Sequence, residues 1–284
     1  MTLESNMTFL AAFGLADPLR EETKETIKAL EGTNVRILSG DHKETVIKVA
    51  GELEIIDINN PDANIMSGEE LRKICRDISF ETVSPIDGEP TYEFRGEIGS
   101  QDYKANMKAF KSKVAGNIVA LSRCTPQDKL MFTALHKRSG ARCAMTADGI
   151  NDARALHEAS VGFAMGSGCA VAKDSSDIII TDNNFLSLYT SIKWGRNIFD
   201  NCRKFIQFQV TINISCLIFV ILGGSTTGKS PFSVIQLLWI NLIMDVLAAL
   251  ALGTEAPGDK LKSSRIKATD NLIIPVMWRS ISSQ

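Results

Sequence analysis

"RCAMTADG" (Arg142–Gly149) followed by "INDARALHEAS" (Ile150–Ser160) is the stretch that decides the fold. Its first half is a short apolar run ending in an acid and a glycine, which predicts a strand; its second half has helical spacing. A strand that stops at a polar turn and feeds a helix is the repeating unit of an α/β sheet, and ligands gather at such strand ends. The same unit recurs on both sides. Upstream, "REETKETIKALEG" predicts a helix ended by Gly32, "NVRIL" a strand, "SGD" a turn and "KETVIKVAGEL" a helix. "NIVALSRC" predicts the next strand, and "PQDKLMFTALHKRSG" a helix opened by Pro126. "VGFAMG" and "SDIIITD" complete the series downstream, and "TFLAAFGLAD" predicts a first strand near the start. Residues 59–115 stand apart as a polar, less regular insertion, in which Ser67 is the candidate cap of a helix "GEELRKIC".

Composition sets limits on function. A net charge of -2 on 284 residues gives no reason to expect a nucleic-acid partner. The six cysteines form no CxxC pair, and the three histidines lie far apart, so a disulfide framework and a zinc site are not expected. Charge is unevenly placed: Phe205–Leu252 contains only Lys229 and Asp245. Two apolar segments, Phe205–Leu222 and Phe232–Leu252, each match the ~20 residues a membrane helix needs. Lys193, Arg196, Arg203 and Lys204 precede the first, and Lys260, Lys262, Arg265 and Lys267 follow the second. The positive-inside tendency then places both flanks, and the α/β part with them, in the cytosol. The expected arrangement is a transmembrane hairpin in a lipid bilayer.

Three strand ends carry groups suited to phosphate. At "SGD", Ser39 supplies a hydroxyl beside Asp41, and Gly40 permits close backbone approach to an anion at a helix N-terminus. In "RCTPQDK", Arg123 and Lys129 can neutralise phosphoryl oxygens. In "ADGIND", Asp148 and Asp152 lie four apart across a turn, a spacing suited to Mg²⁺, with Asn151 as a donor to oxygen. In the second apolar segment Asn241 and Asp245 share a helix face, and Asn213 falls near the middle of the first. A carboxylate at bilayer depth is expensive and points to function; oxygen donors on adjacent helices suit a hard cation such as Ca²⁺.

"DPLR", "SGD", "TPQDK", "TADGIND" and "VGFAMGSGCAVAKDSSDIIITDNNF" occur in the order found in P-type ATPases. The chain resembles that family along nearly its whole length, and "RKFIQFQVTIN" and "LLWINLIMD" are similar to the fifth and sixth membrane helices of calcium pumps, the calmodulin-regulated plasma-membrane type above all. The resemblance implies an α/β, haloacid-dehalogenase-like (Rossmann-type) parallel-sheet domain, incomplete, followed by the helical hairpin. It divides the chain into a partial phosphorylation domain (1–188), a stalk helix (189–204), the hairpin (205–252) and a cytosolic connector towards a further helix (253–284). It implies ATP as substrate, with Ser39, Gly40, Asp41, Arg123, Lys129 and Asn151 around it, and Lys129 balancing charge on an aspartyl phosphate. Asp148 is implied as Mg²⁺ ligand with Asp152 beside it, and Asn213, Asn241 and Asp245 as Ca²⁺ ligands. Calmodulin is implied as a partner of the full-length pump, and a plasma or internal membrane as the location.

Three departures stand beside the resemblance. Ala147 replaces the first glycine of the family's GDGxND, Cys216 stands where two-site pumps carry a glutamate, and no DKTG, the site of phosphorylation, occurs in the sequence. The chain reads as a fragment that is inactive alone, with unpaired strand edges where the phosphorylated strand would lie. A pump for another cation and a non-catalytic membrane fragment remain as alternatives. "GGSTTGKS" (Gly223–Ser230) matches a phosphate-binding loop pattern, but it joins two membrane-length helices and is expected to be a short polar turn.

Overall fold

The computed structural model describes residues 8–11, 13–14, 18–30, 33–56, 64–84, 88–228, 231–258, 273 and 275–283. In chain order these form α1 (Glu21–Ala29), β1 (Ile37–Leu38), α2 (Lys43–Glu52), β2 (Ile65–Ser67), α3 (Gly68–Ile78), β3 (Ser79–Val83), β4 (Pro90–Phe94), α4 (Gln101–Phe110), β5 (Ala120–Ser122), α5 (Pro126–Arg138), β6 (Ala144–Ala147), α6 (Ala153–Glu158), β7 (Val161–Met165), α7 (Ala170–Asp174), β8 (Ile178–Ile180), α8 (Leu186–Thr227), α9 (Val234–Gly253) and α10 (Pro275–Ser283). The architecture is a parallel-sheet α/β unit followed by two long apolar helices.

The sheet is in two parts. β5 lies between β1 and β2, all parallel, with Ile37 and Ile65 both opposite Ala120. β7 lies between β6 and β8, also parallel, with Met145 opposite Gly162 and Ala164 opposite Ile179. β7 is buried along Gly162–Met165, as an apolar run covered on both faces must be. Among the described residues, the outer edges of β1 and β6 have no strand partner. α5 connects the two parts: Leu130, Met131, Phe132, Ala134 and Leu135 are all buried, and the helix packs on β4 on one side and on α6 on the other.

Three expectations are corrected. The stretch "TFLAAFGLAD" is not a strand in its described part; Phe9, Leu10 and Phe13 are exposed, and without a hydrogen-bonded neighbour an extended segment has nothing to hold it in a sheet. The described residues of the insertion, 64–84 and 88–115, are regular: β2 is the third strand of the first sheet, α3 follows at once, β3 and β4 pair antiparallel, and α4 closes the unit. Polar outward faces hid this order, because Leu71, Cys75, Ile78, Phe94, Tyr103 and Phe110 bury one side into a shared core. Ser67 caps α3 as expected, in a reciprocal arrangement with Glu70. Gly32 and Lys229 lie outside the described residues, while α1 ends at Ala29 with Leu30 as its cap. Gly223–Thr227 are not a turn but the last residues of α8, which ends on Gly228 in the left-handed conformation at φ 66°.

α8 and α9 are the two helices, among the described residues, long and apolar enough to cross a membrane. They run antiparallel. A side chain on Gly223 would meet the Pro231 ring, and at the other end Asn201 donates to the Leu252 carbonyl at 2.8 Å. α10 returns to α8, burying Met277 and Ile281.

Candidate functional site

The turn after β5 is fixed by its own residues. Thr125 caps α5 by accepting from Asp128 N, Asp128 accepts from Thr125 N at 2.8 Å, and Pro126 starts the helix where no amide partner is needed. Asp128 is 1% exposed and also receives a cation, Arg72 from α3. Gly68 makes room for this carboxylate: a Cβ there would lie 2.6 Å from Asp128 Oδ2. One residue on, Lys129 is aimed at the other sheet, with Nζ 2.7 Å from Asp152 Oδ1 and both side chains largely covered. This ion pair ties the turn after β5 to the turn after β6.

The loop after β1 joins the same end. Cys124 N donates to Ser39 O and Arg123 N to Asp41 O, both at 2.9 Å. Ser39 Oγ donates to Asp41 Oδ2 at 2.7 Å and accepts from Asp41 N, closing a local turn. Gly40 lies over the Cys124 carbonyl, where an added Cβ would sit at 3.6 Å. Arg123 holds φ 49°, a left-handed conformation rare for a side chain of its size, and its Nη2 donates to His42 Nδ1 at 2.8 Å. His42 is the N-cap residue of α2 but bonds none of its amides, so the first turn of that helix has no side-chain cap. Burial and the nearby Asp128 push the Cys124 thiol up to about 12, so it is a neutral spacer and no nucleophile.

After β6, Asp148 is exposed, and its carboxylate makes no hydrogen bond or ion pair among the described residues. Its carbonyl accepts from Cys169 N at 3.0 Å, and a Cβ on Gly168 would lie 3.1 Å from Asp148 Cα, so the loop before α7 packs directly on this turn. Asn151 is exposed in a short 3₁₀ turn. Ala147 ends β6 opposite Ala164 and has no positive φ; the backbone at that position suits alanine, and the missing glycine removes no conformation the turn needs.

The membrane residues are only partly gathered. Asn213 and Asn241 are exposed on the two-helix hairpin, Asp245 is half-covered with Oδ1 shielded and unpartnered, and no hydrogen bond joins the three. Sequence reasoning missed His42, Arg72 and Gly168. His42 had a signal, its place at the start of a helix beside "SGD", whereas Arg72 is one of many exposed helical cations until the fold brings Asp128 to it.

A family model described as "Cation transporting ATPase, C-terminus" matches residues 229–284. "Calcium-transporting ATPase 8, plasma membrane-type" of Arabidopsis thaliana is 36% identical over 99% of this chain, which covers 24% of that protein. "Calcium-transporting ATPase 5, plasma membrane-type" of Oryza sativa subsp. japonica is 36% identical over 98% of this chain, which covers 23% of it. A solved zinc-transporting PIB-type ATPase in an E2.Pi state aligns with 83% of this chain and 27% of its own length, at 21% identity and a TM-score of 0.49. The chain thus spans about a quarter of the length of these calcium-transporting relatives. Across that span, and through nearly every one of its residues, the chain is similar to plasma-membrane-type calcium-transporting ATPases.

Proposed function

We propose that this chain is the segment of an ATP-driven calcium pump that links the phosphate-handling end of the cytosolic domain to two membrane helices of the ion site. The observation that carries the reading is the Lys129–Asp152 ion pair at 2.7 Å, which draws the turns after β5 and β6 together at the ends of two parallel sheets. A parallel strand carrying the acceptor aspartate would pair with the free edge of β1 or β6, and no DKTG occurs in these 284 residues, so the chain alone forms no phosphoenzyme. Ser39, Gly40, Asp41 and Arg123 would hold ATP beside the uncapped N-terminus of α2. Lys129, released from Asp152, would balance charge on the phosphoryl group.

The exposed, unpartnered Asp148 carboxylate, with Asp152 and the Asn151 amide nearby in sequence, is an oxygen donor set that fits Mg²⁺. When bound, that ion neutralises phosphoryl charge. In the hairpin, Asp245 with Asn241 and Asn213 would take Ca²⁺ as cargo. The hairpin would cross the bilayer with the α/β part cytosolic, in a plasma or internal membrane, and calmodulin would act on the full-length pump.

The test is a chimera in which this chain replaces the matching quarter of a plasma-membrane-type calcium ATPase. Ca²⁺-dependent formation of phosphoenzyme from ATP is expected, and its loss on Asp245→Asn. Phosphoenzyme that forms equally without Ca²⁺ in the unmutated chimera would overturn the reading.

A further inference from the structure

The hairpin holds a second shielded oxygen with no partner. Among the described residues a few buried polar atoms are orphaned, and two of them, Gln209 Oε1 on α8 and Asp245 Oδ1 on α9, lie within the apolar stretches Phe205–Leu222 and Phe232–Leu252. The outer faces of the two stretches are open and carry exposed apolar side chains such as Leu217, Ile218, Leu238 and Leu242, so a shielded atom there is one turned towards the helix–helix seam.

The antiparallel register places the two at one level. The Asn201–Leu252 hydrogen bond fixes one end and the Gly223–Pro231 contact the other. At a rise of about 1.5 Å per residue, Gln209 lies ~12 Å along α8 from the Asn201 end, and Asp245 lies ~10.5 Å along α9 from Leu252. The same register sets Asn213 level with Asn241, one turn further on. Because Gln209 and Asn213, like Asp245 and Asn241, are four apart, each pair shares a helix face.

A carboxylate oxygen and an amide oxygen facing one apolar seam are both acceptors and cannot satisfy each other. Two unsatisfied acceptors in a place without water are costly, and a hard cation, which takes oxygen ligands alone, removes the cost for both. We propose that Gln209 is a cation ligand, its side-chain oxygen completing with Asp245 the layer of the ion site nearer the α/β part, beneath the Asn213 and Asn241 layer. The proposal rests on the calcium reading of Asp245 given above. It assigns to Gln209 what neither motif matching nor charge counting singles out, since a glutamine in an apolar helix carries no charge to draw notice.

The experiment is ⁴⁵Ca²⁺ equilibrium dialysis on the 284-residue chain in lipid nanodiscs, with helix content checked by circular dichroism. Gln209→Leu is expected to weaken Ca²⁺ binding by about tenfold, and Asp245→Asn to abolish it. Gln209→Glu is the discriminating variant. As a ligand position it accepts a carboxylate with binding retained or tightened, whereas a glutamine serving only to hold Asp245 would be replaced by a like charge that weakens binding. Wild-type affinity in Gln209→Leu together with loss in Asp245→Asn overturns the Gln209 assignment and leaves the calcium reading standing. Wild-type affinity in Asp245→Asn, or no binding by the wild-type chain, overturns both.

Discussion

Arg36 Nη1 lies 2.7 Å from Nε2 of His136, and the imidazole is enclosed by Phe110 and Phe132 at ring distances of 5.1 and 4.4 Å. Arginine only donates, so His136 accepts and is neutral. Burial, and then the Arg36 charge, push its pKa down to about 3. Arg36 is itself held by the Ala115 carbonyl and lies over the Phe132 ring, so neither partner can turn away.

A pH dependence follows from this depressed value. Above the unfolded pKa of about 6.5 both states are neutral and the His136 contribution is complete. As pH falls below it, the unfolded chain takes up a proton that the folded chain refuses until about pH 3, so stability is lost across that window. The slope for one proton is about 1.4 kcal/mol per pH unit. His136→Gln keeps an acceptor for Arg36 without the titration. The melting midpoint of the detergent-solubilised chain is expected to fall less steeply between pH 6 and 4 in this variant than in the wild type, on the order of one proton's worth. Equal slopes would show that His136 is not protonated differentially.

Asp128 and Arg72 make a second prediction, on stability. Asp128 is 1% exposed, receives the Thr125 cap and Arg72, and leaves its other oxygen unsatisfied. Asp128→Ala removes a cap and strands Arg72, which is half-exposed and can rehydrate; the expected loss is about 2 kcal/mol. Arg72→Ala leaves the buried carboxylate with only its cap and is expected to cost about as much, although the residue removed is a surface one. Urea denaturation of both variants checks this. An Arg72→Ala chain as stable as the wild type would mean that the cap alone holds the carboxylate.

These two pairs mark where the sequence ceases to be readable. Strand ends with "SGD", "TPQDK" and "ADGIND" were legible because turn residues, helix caps and local hydrogen bonds involve neighbours in the chain. Lys129 and Asp152 were both legible as site residues, since each sits in such a turn. Their contact was not, because it depends on how α5 lies between two sheets. β2 was missed for a physical reason: with only Ile65, Met66 and Ser67 in the strand, no alternation can build up before α3 begins. The hairpin was plain in its apolar length, yet the end of α8 was misplaced, because Gly223–Thr227 read as a turn while their hydroxyls bond back to carbonyls of their own helix. Gln209 was invisible until a partner helix gave its level a meaning.

Arg123 carries backbone strain at the site. Its φ of 49° belongs to the left-handed region, where a side chain with a Cβ is disfavoured and glycine is not. Arg123→Gly relieves that strain and gives up only the exposed contact with His42. Stability is expected to rise by about 0.5 kcal/mol, while the chimera needs more ATP for half-maximal phosphoenzyme, because the guanidinium is lost. A drop in stability with an unchanged ATP requirement would show that Arg123 is placed for structure and not for nucleotide.

Asn197 and Asn201 hold the end of α9 to α8, and their removal should loosen that end alone. Both are buried; Asn197 Nδ2 donates to Glu255 O and Asn201 Nδ2 to Leu252 O, each at 2.8 Å. The last carbonyls of a helix have no partner within it, so the Asn201 amide supplies what Leu252 lacks, while Asn197 holds the residue just past the cap. Lys204 adds an exposed ion pair to Glu255 at 3.0 Å. Loss of a buried hydrogen bond that leaves a carbonyl unsatisfied costs about 1–2 kcal/mol, and an exposed ion pair about 0–1 kcal/mol. Asn201→Ala is therefore expected to speed hydrogen exchange at the final α9 amides about tenfold, with the rest of α9 unaffected, whereas Lys204→Ala changes it little. Equal effects from the two substitutions would mean that charge, and not the amide pair, joins the connector to α8. A faster exchange spread along the whole of α9 would mean that the Asn201–Leu252 bond sets the register of the entire hairpin, and the level of Gln209 and Asp245 with it.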